Sequence, residues 1–196
     1  MIISAYLPLS LCDYPGKVAA AIFTQGCNFR CSWCHNKHLL PVESVTETVD
    51  TAWVLAEVGE RRKKGQVDAI VISGGEPTIH PGLFGFLAAC KDIDLAVKLD
   101  TNGSNPHVVR ECLQKRFVDF IAMDIKAPWD KYDVLTGVET DTDALRESVQ
   151  LIAASGIGHQ FRTTRVDAML TAEDCAAILK QIPNDSPHVW QTYRPV

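Results

Sequence analysis

The chain reads as an α/β protein whose mostly parallel sheet curls into a partial, TIM-like (β/α)6 barrel. Two observations predict this. Short apolar runs alternate with longer segments of helical periodicity, the order that builds parallel strands joined by right-handed crossovers. Six such units are too few for a closed eight-stranded barrel. The second observation is that polar residues gather just after successive apolar runs, at the strand ends where barrel enzymes carry their chemistry.

Taken in order, residues 1–7 read as a short strand lying beside the domain, and Asp13-Tyr14-Pro15-Gly16 as a turn. Residues 1–17 thus lead into the barrel, within a single domain spanning 1–196. Residues 18–24 are nearly all apolar, as in a strand buried on both faces. Ser44-Val45-Thr46-Glu47 has the capping-box pattern. The helix behind it is expected to turn Val49, Trp53 and Ala56 inward and to stop near Lys63-Lys64-Gly65. Residues 69–72 form the second strand, leaving through Gly74-Gly75-Glu76-Pro77. A helix opening at His80-Pro81-Gly82 then buries Leu83, Phe86, Leu87 and Cys90.

Residues 95–99 form the third strand, exiting through Asp100-Thr101-Asn102-Gly103. Asn105-Pro106 caps a helix that buries Val109, Cys112 and Leu113. The fourth strand, 118–123, ends in Asp124-Ile125-Lys126, and residues 128–140 are irregular. A helix over 142–154 turns Leu145, Val149 and Ile152 inward and stops at Gly156. Residues 160–164 make the fifth strand, Thr171 starts another helix, and residues 188–192 make the sixth strand.

With 196 residues the chain can bury a sizeable core, and 46% apolar with 22% charged residues is an ordinary globular composition. A net charge of −5 argues against a broad nucleic-acid face. The basic run Arg61-Arg62-Lys63-Lys64 suits the negative end of its own helix. No basic n-region or long apolar span marks a signal peptide or membrane helix, so a cytoplasmic location is expected. In that compartment seven cysteines read as thiols and metal ligands rather than disulfides.

The first strand exits into Cys27-Asn28-Phe29-Arg30-Cys31-Ser32-Trp33-Cys34, a CxxxCxxC spacing. Three thiolates can hold three irons of a 4Fe–4S cube, and no fourth cysteine lies nearby, so one iron stays open to a ligand. Other metals remain possible on spacing alone. A Cys3His zinc site can draw on His35 or His38, although zinc motifs usually pair ligands across a longer loop. Cys31 to His35 also fits c-type haem attachment, which needs export and leaves Cys27 unused. Cys90, Cys112 and Cys175 fall on apolar helix faces and read, with Cys12, as free thiols outside any cluster.

The Cys27/Cys31/Cys34 triplet, the aromatic Trp33 before its last cysteine and Gly74-Gly75-Glu76-Pro77 together resemble the radical S-adenosylmethionine (SAM) superfamily. The resemblance implies a radical SAM core in which the open iron chelates the amino and carboxylate groups of SAM. It places the SAM amino group on Gly74, Gly75 and Glu76, the glycines allowing close backbone approach and Glu76 adding charge support. Asp100, Thr101 and Asn102 can hydrogen-bond a ribose or methionyl group, with Asp124 and Lys126 flanking them. Both segments resemble those of glycyl-radical-enzyme activases, which implies a monovalent cation at Asp100 and Asp124 beside the SAM carboxylate. By the same analogy Trp33 and His35 sit at the adenine edge, and Arg162 reaches the carboxylate or ribose.

Within the superfamily, Ser10-Leu11-Cys12-Asp13-Tyr14-Pro15-Gly16-Lys17, the run from Phe23 to Cys31, Cys34-His35-Asn36 and Arg194-Pro195 are similar to the anaerobic ribonucleoside-triphosphate reductase-activating protein family. Residues 36–67 hold no cysteine, whereas larger activases insert a ferredoxin-like segment there. The resemblance implies reductive cleavage of SAM to a 5′-deoxyadenosyl radical, with flavodoxin or ferredoxin as electron donor. It further implies a glycyl radical placed on a partner enzyme, the reductase or a related glycyl radical enzyme. The alternatives are a radical SAM enzyme acting on a small molecule or peptide, such as a 7-carboxy-7-deazaguanine synthase-like enzyme, and a metal-binding scaffold without SAM chemistry.

Overall fold

The structure is a computed structural model that describes residues 1–41 and 48–194. Seven strands form one open sheet in sequence order: β1 (Ile3–Ser10), β2 (Ala19–Thr24), β3 (Ala69–Gly74), β4 (Ala96–Thr101), β5 (Phe120–Asp124), β6 (Gly158–Arg165) and β7 (His188–Thr192). From β2 onward every neighbouring pair is parallel, and only β1 runs against its partner. Six parallel strands in sequence order are the expected partial barrel. The helices on the crossovers are α1 (Thr51–Lys63), α2 (Leu83–Asp92), α3 (Pro106–Gln114), α4 (Tyr132–Thr136) with α5 (Thr142–Ala153), and α6 (Ala172–Lys180).

Side chains alternate across a strand, so each strand feeds two different layers. Ile22, Ile70, Ile72, Val97, Leu99, Ile121 and Phe161 pack with Val54, Leu87, Cys90, Val109, Val149 and Ile152 of the helices in the main core. The alternate positions Ala19, Ala21, Ala69 and Val71 make a smaller cluster closed by Tyr14, whose ring lies 5.7 Å from that of Phe120. Further along the same face come Lys98, Asp100, Asp124 and Arg162. The register pairs Val71 with Lys98, Asp100 with Ala122 and Asp124 with Arg162. Burial therefore drives the helix side, while the inner side carries small residues low down and charge at the carboxyl ends.

Three local expectations are corrected. The first strand does not lie beside the domain: Ile3 is fully buried, and β1 extends the sheet by pairing with β2. The Ser44–Glu47 capping box lies outside the described residues, as does Pro195. Helix α1 begins at Thr51, its cap being Asp50, whose side chain accepts from the Trp53 N–H at 2.7 Å. Its inward face is Val54 and Val58, whereas Ala56 is exposed and Trp53 lies outside, edge-on to Tyr6 of β1. Residues 128–140 contain α4, ended by Gly137 in the left-handed region at φ 71°. Tyr132 at its start is completely buried, and its hydroxyl accepts from the Lys126 N–H at 3.0 Å.

Candidate active site

The cysteine loop leaves β2 through Gly26, at φ 91°. Two further backbone segments clamp it. The N–H of Gly75 donates to Thr24 O and that of Glu76 to Gly26 O, both at 2.8 Å. A Cβ on Gly75 would stand 1.9 Å from Gly26 O, and one on Gly74 2.1 Å from Thr24 N, so the paired glycines are what let β3's exit lie against β2's. On the other side the Arg30 N–H donates to Thr136 O at 2.7 Å, and Gly137 approaches the Arg30 carbonyl. The short helix α4, absent from the sequence expectation, thus props the loop.

Glu76 is the hub beneath. Its Oε1 accepts from the Thr78 N–H (3.1 Å), the Thr78 hydroxyl (2.5 Å) and the Thr101 hydroxyl (2.7 Å), and its Oε2 from the Asn102 N–H (2.7 Å). Burial pushes its carboxyl above the ordinary range, and these bonds pull against that shift. Its Oε1 is fully engaged inside the fold, so Glu76 ties β3's exit to β4's while its Oε2, with the single Asn102 bond, stays on the cavity wall. Asn102 in turn donates to Asn28 Oδ1 at 2.8 Å, and Asn28 donates to Ser104 at 2.7 Å, bringing the residue after Cys27 into the same network.

Three cations and two carboxylates form the charged wall. Arg162 donates through Nε to Asp124 Oδ1 at 2.9 Å and through a terminal nitrogen to Asp100 Oδ2 at 3.0 Å. Lys98, with a side chain only 2% exposed, pairs with Asp100, and Lys126 pairs with Asp124 at 3.2 Å. Burial alone would raise the Asp124 carboxyl, but Arg162 and then Lys126 outweigh it and hold it down at about 2. Burial likewise opposes the Lys126 charge, and Asp124 overrides it, keeping the ammonium above its usual range. The Lys126 ammonium also lies 5.3 Å from the centroid of the Trp33 ring.

All the singled-out residues line one cavity: Cys27, Cys31, Trp33, Cys34, His35, Gly74, Gly75, Glu76, Asp100, Thr101, Asn102, Asp124, Lys126 and Arg162. Sequence reasoning missed Ser73, Thr164 and Gln191 on the same wall. Ser73 and Thr164 stand two residues along β3 and β6 from inward-facing neighbours, so strand alternation was a usable signal. Gln191 on the edge strand gave none. His35 stacks on Tyr193 with centroids 5.1 Å apart and reaches the Arg194 carbonyl at 3.0 Å, contacts no local motif announces.

The donor set fits an iron–sulfur cluster. Three soft sulfurs face one cavity, while Cys90 and Cys112 are sealed in the core and Cys12 is exposed. Among the described residues no three His, Cys, Asp or Glu side chains converge on a single ion. Burial raises the Cys27 thiol to about 11 and also raises Cys31, with the Lys126 charge drawing both back towards thiolate. Also among the described residues, the Trp33 indole N–H is buried without an acceptor. No helix there is long and apolar enough to cross a membrane.

Residues 21–182 match the family described as the Radical SAM superfamily. A Methanocaldococcus jannaschii protein, provisionally assigned as a glycyl-radical enzyme activating enzyme, is 30% identical over 206 residues, covering 99% of this chain and 80% of that one. The pyruvate formate-lyase-activating enzyme of Clostridium pasteurianum is 30% identical over 183 residues, covering 90% and 75%. Among solved structures, Streptococcus suis SuiB bound to the precursor peptide SuiA superposes with a TM-score of 0.68 at 15% identity, over 89% of this chain and 38% of that one. Native anSMEcpe with bound AdoMet gives 0.65 at 14% identity, over 87% and 50%. The chain thus spans half or less of each of those two structures. A match that runs from β2 and the cysteine loop to the end of α6 makes the chain a member of the radical SAM superfamily, whose enzymes work with a 4Fe–4S cluster and SAM.

Proposed function

We propose that this radical SAM enzyme activates a glycyl radical enzyme, and that its partner is an anaerobic ribonucleoside-triphosphate reductase or a close relative of one. The observation that carries this reading is the likeness, over 99% of the chain, to a protein assigned as a glycyl-radical enzyme activating enzyme. The Ser10–Lys17 and Phe23–Cys31 segments and the cysteine-free stretch 36–67 support the reductase as the target. The site works in the cytoplasm and draws its electron from a flavodoxin or ferredoxin.

When bound, the cluster and SAM together supply one-electron cleavage of a carbon–sulfur bond, giving a 5′-deoxyadenosyl radical able to take an unactivated hydrogen. Cys27, Cys31 and Cys34 would hold the cluster. The Gly74–Gly75 backbone receives the SAM ammonium, and Thr101 and Asn102 its polar groups. Lys126 and Arg162 supply positive charge near the carboxylate, and Trp33 offers an aromatic face to the adenine. The chain's part is to orient these groups and keep water out while the open side of the sheet admits a loop of the partner.

The test is anaerobic incubation of the reconstituted protein with SAM, a reductant and the purified reductase. A glycyl-radical doublet in the EPR spectrum of the reductase, lost with Cys31→Ala while the variant stays folded, is the expected result. Formation of 5′-deoxyadenosine without any doublet, in favour of turnover of a small molecule, would overturn the partner assignment and leave the radical SAM assignment standing.

A further inference from the structure

The expectation of a monovalent cation between Asp100 and Asp124 meets a residue that occupies the same place. Arg162 projects from β6, the neighbour of β5, and its guanidinium spans both carboxylates: Asp124 at 2.9 Å, Asp100 at 3.0 Å. The oxygens turned away from it are also engaged. Lys98 takes Asp100 Oδ1, Lys126 takes Asp124 Oδ2 at 3.2 Å, and the Ser73 hydroxyl adds a bond to Asp100 Oδ2 at 3.2 Å. Each of the four carboxylate oxygens thus has a donor of the protein's own.

A sodium or potassium ion needs several oxygen ligands whose free lone pairs are directed at it from around it. Here every one of those oxygens already turns at least one lone pair to a donor of the protein, and the Lys98, Lys126 and Arg162 charges beside them repel an added cation. Three cationic side chains already face two carboxylates, so an added ion would enter a cluster that carries a surplus positive charge. Lys98 is 2% exposed and the Arg162, Asp100 and Lys126 side chains 13% each, with Asp124 at 31% the most open of the five, so around the three cations water screens little of that repulsion. A planar fork of donors fixed on a strand is also better matched to two carboxylates than a mobile ion is.

We propose that Arg162 is a built-in counter-ion, tethered by β6 in the position a free monovalent cation would otherwise fill, so that this protein assembles its SAM-carboxylate wall without sodium or potassium. The idea concerns the chain's own charge balance and stands whichever substrate the enzyme acts on.

The experiment compares thermal melting of the purified protein, and its SAM affinity by calorimetry, in potassium chloride and in tetramethylammonium chloride at equal ionic strength. The expected result is identical melting and affinity in both salts for the native protein. Arg162→Ala is expected to acquire a saturable, potassium-specific rise in melting temperature of about 3 °C, the shift that an ion binding only the folded state produces at several times its dissociation constant. Arg162→Lys, which keeps a tethered cation, should remain indifferent to potassium. A potassium-specific gain in melting temperature or SAM affinity in the native protein would overturn the proposal, and that measurement needs no variant to fold. An Arg162→Ala protein that folds and ignores potassium would overturn it equally.

Discussion

At the scale of single residues, the site depends on two carboxylates used in opposite ways, Glu76 buried and Asp124 partly open to solvent. Glu76 gives its lone pairs to four donors of the fold, so its loss strands the Thr78 and Asn102 N–H groups and the Thr101 hydroxyl in a dry environment. At about 1–3 kcal/mol for each abandoned donor, Glu76→Ala should cost at least about 3 kcal/mol. Glu76→Gln can keep the bonds at Oε1 and give up only the one from Asn102, so it should cost less. Urea melts of the two variants check the order; equal losses would mean that the charge matters, not the acceptors. Asp124 instead faces cations, and its carboxyl is held down to about 2 against an unfolded value near 3.9. That linkage contributes about 2 kcal/mol, present above pH ~4 and lost as the pH falls from there towards ~2. Asp124→Asn should therefore be less stable than the native protein at pH 6, with the gap narrowing steadily as the pH falls from ~4 towards ~2. A gap that stays constant across that range would mean that the ion pairs do not carry the difference.

At the scale of elements, the exits of β2 and β3 approach so closely that side chains are excluded. Gly75→Ala places a methyl 1.9 Å from the Gly26 carbonyl, backbone against backbone, and the cysteine loop must move. Loss of iron loading with little loss of helix content, read by iron analysis and circular dichroism, is the expected outcome. Gly85 is the control: it lies on the exposed side of α2, and an added methyl would meet nothing within 4 Å, so Gly85→Ala should stabilise the helix by about 0.5–1 kcal/mol. The strand exits were legible in the sequence because apolar runs ending in Cys, Gly-Gly-Glu or Asp-Thr-Asn leave few readings. The face of α1 was not. Its start depends on the Asp50 cap, and a shift of one residue turns the face by about 100° and swaps Trp53 for Val54. Helix α4 was hidden because it is a single turn, below the length at which periodicity speaks. Its worth comes from the Thr136 and Gly137 contacts to Arg30, which no local pattern encodes.

For the whole molecule, strand order decided that the cysteine, glycine and acidic loops would meet, since parallel strands in sequence order put all their carboxyl ends at one rim. What the sequence could not show was lateral register. That Asp124 stands opposite Arg162, and that the guanidinium then reaches two strands over to Asp100, follows from hydrogen-bond pairing between segments 38 residues apart. The same open architecture makes stability uneven across the sheet. Strand β3 is paired on both sides, with its first four residues buried, whereas β7 pairs with β6 alone among the described strands and is exposed along nearly its whole length. Opening β7 sacrifices one ladder and little apolar area; opening β3 breaks two ladders and the main core. Amides of 188–192 should thus exchange with deuterium orders of magnitude faster than those of 69–74 in the isolated protein, and mass spectrometry of the corresponding peptides reads the ratio directly. Protection of β7 equal to that of β3 would mean that another polypeptide covers the edge in solution, and concentration dependence of that protection would identify it as a second copy of this chain.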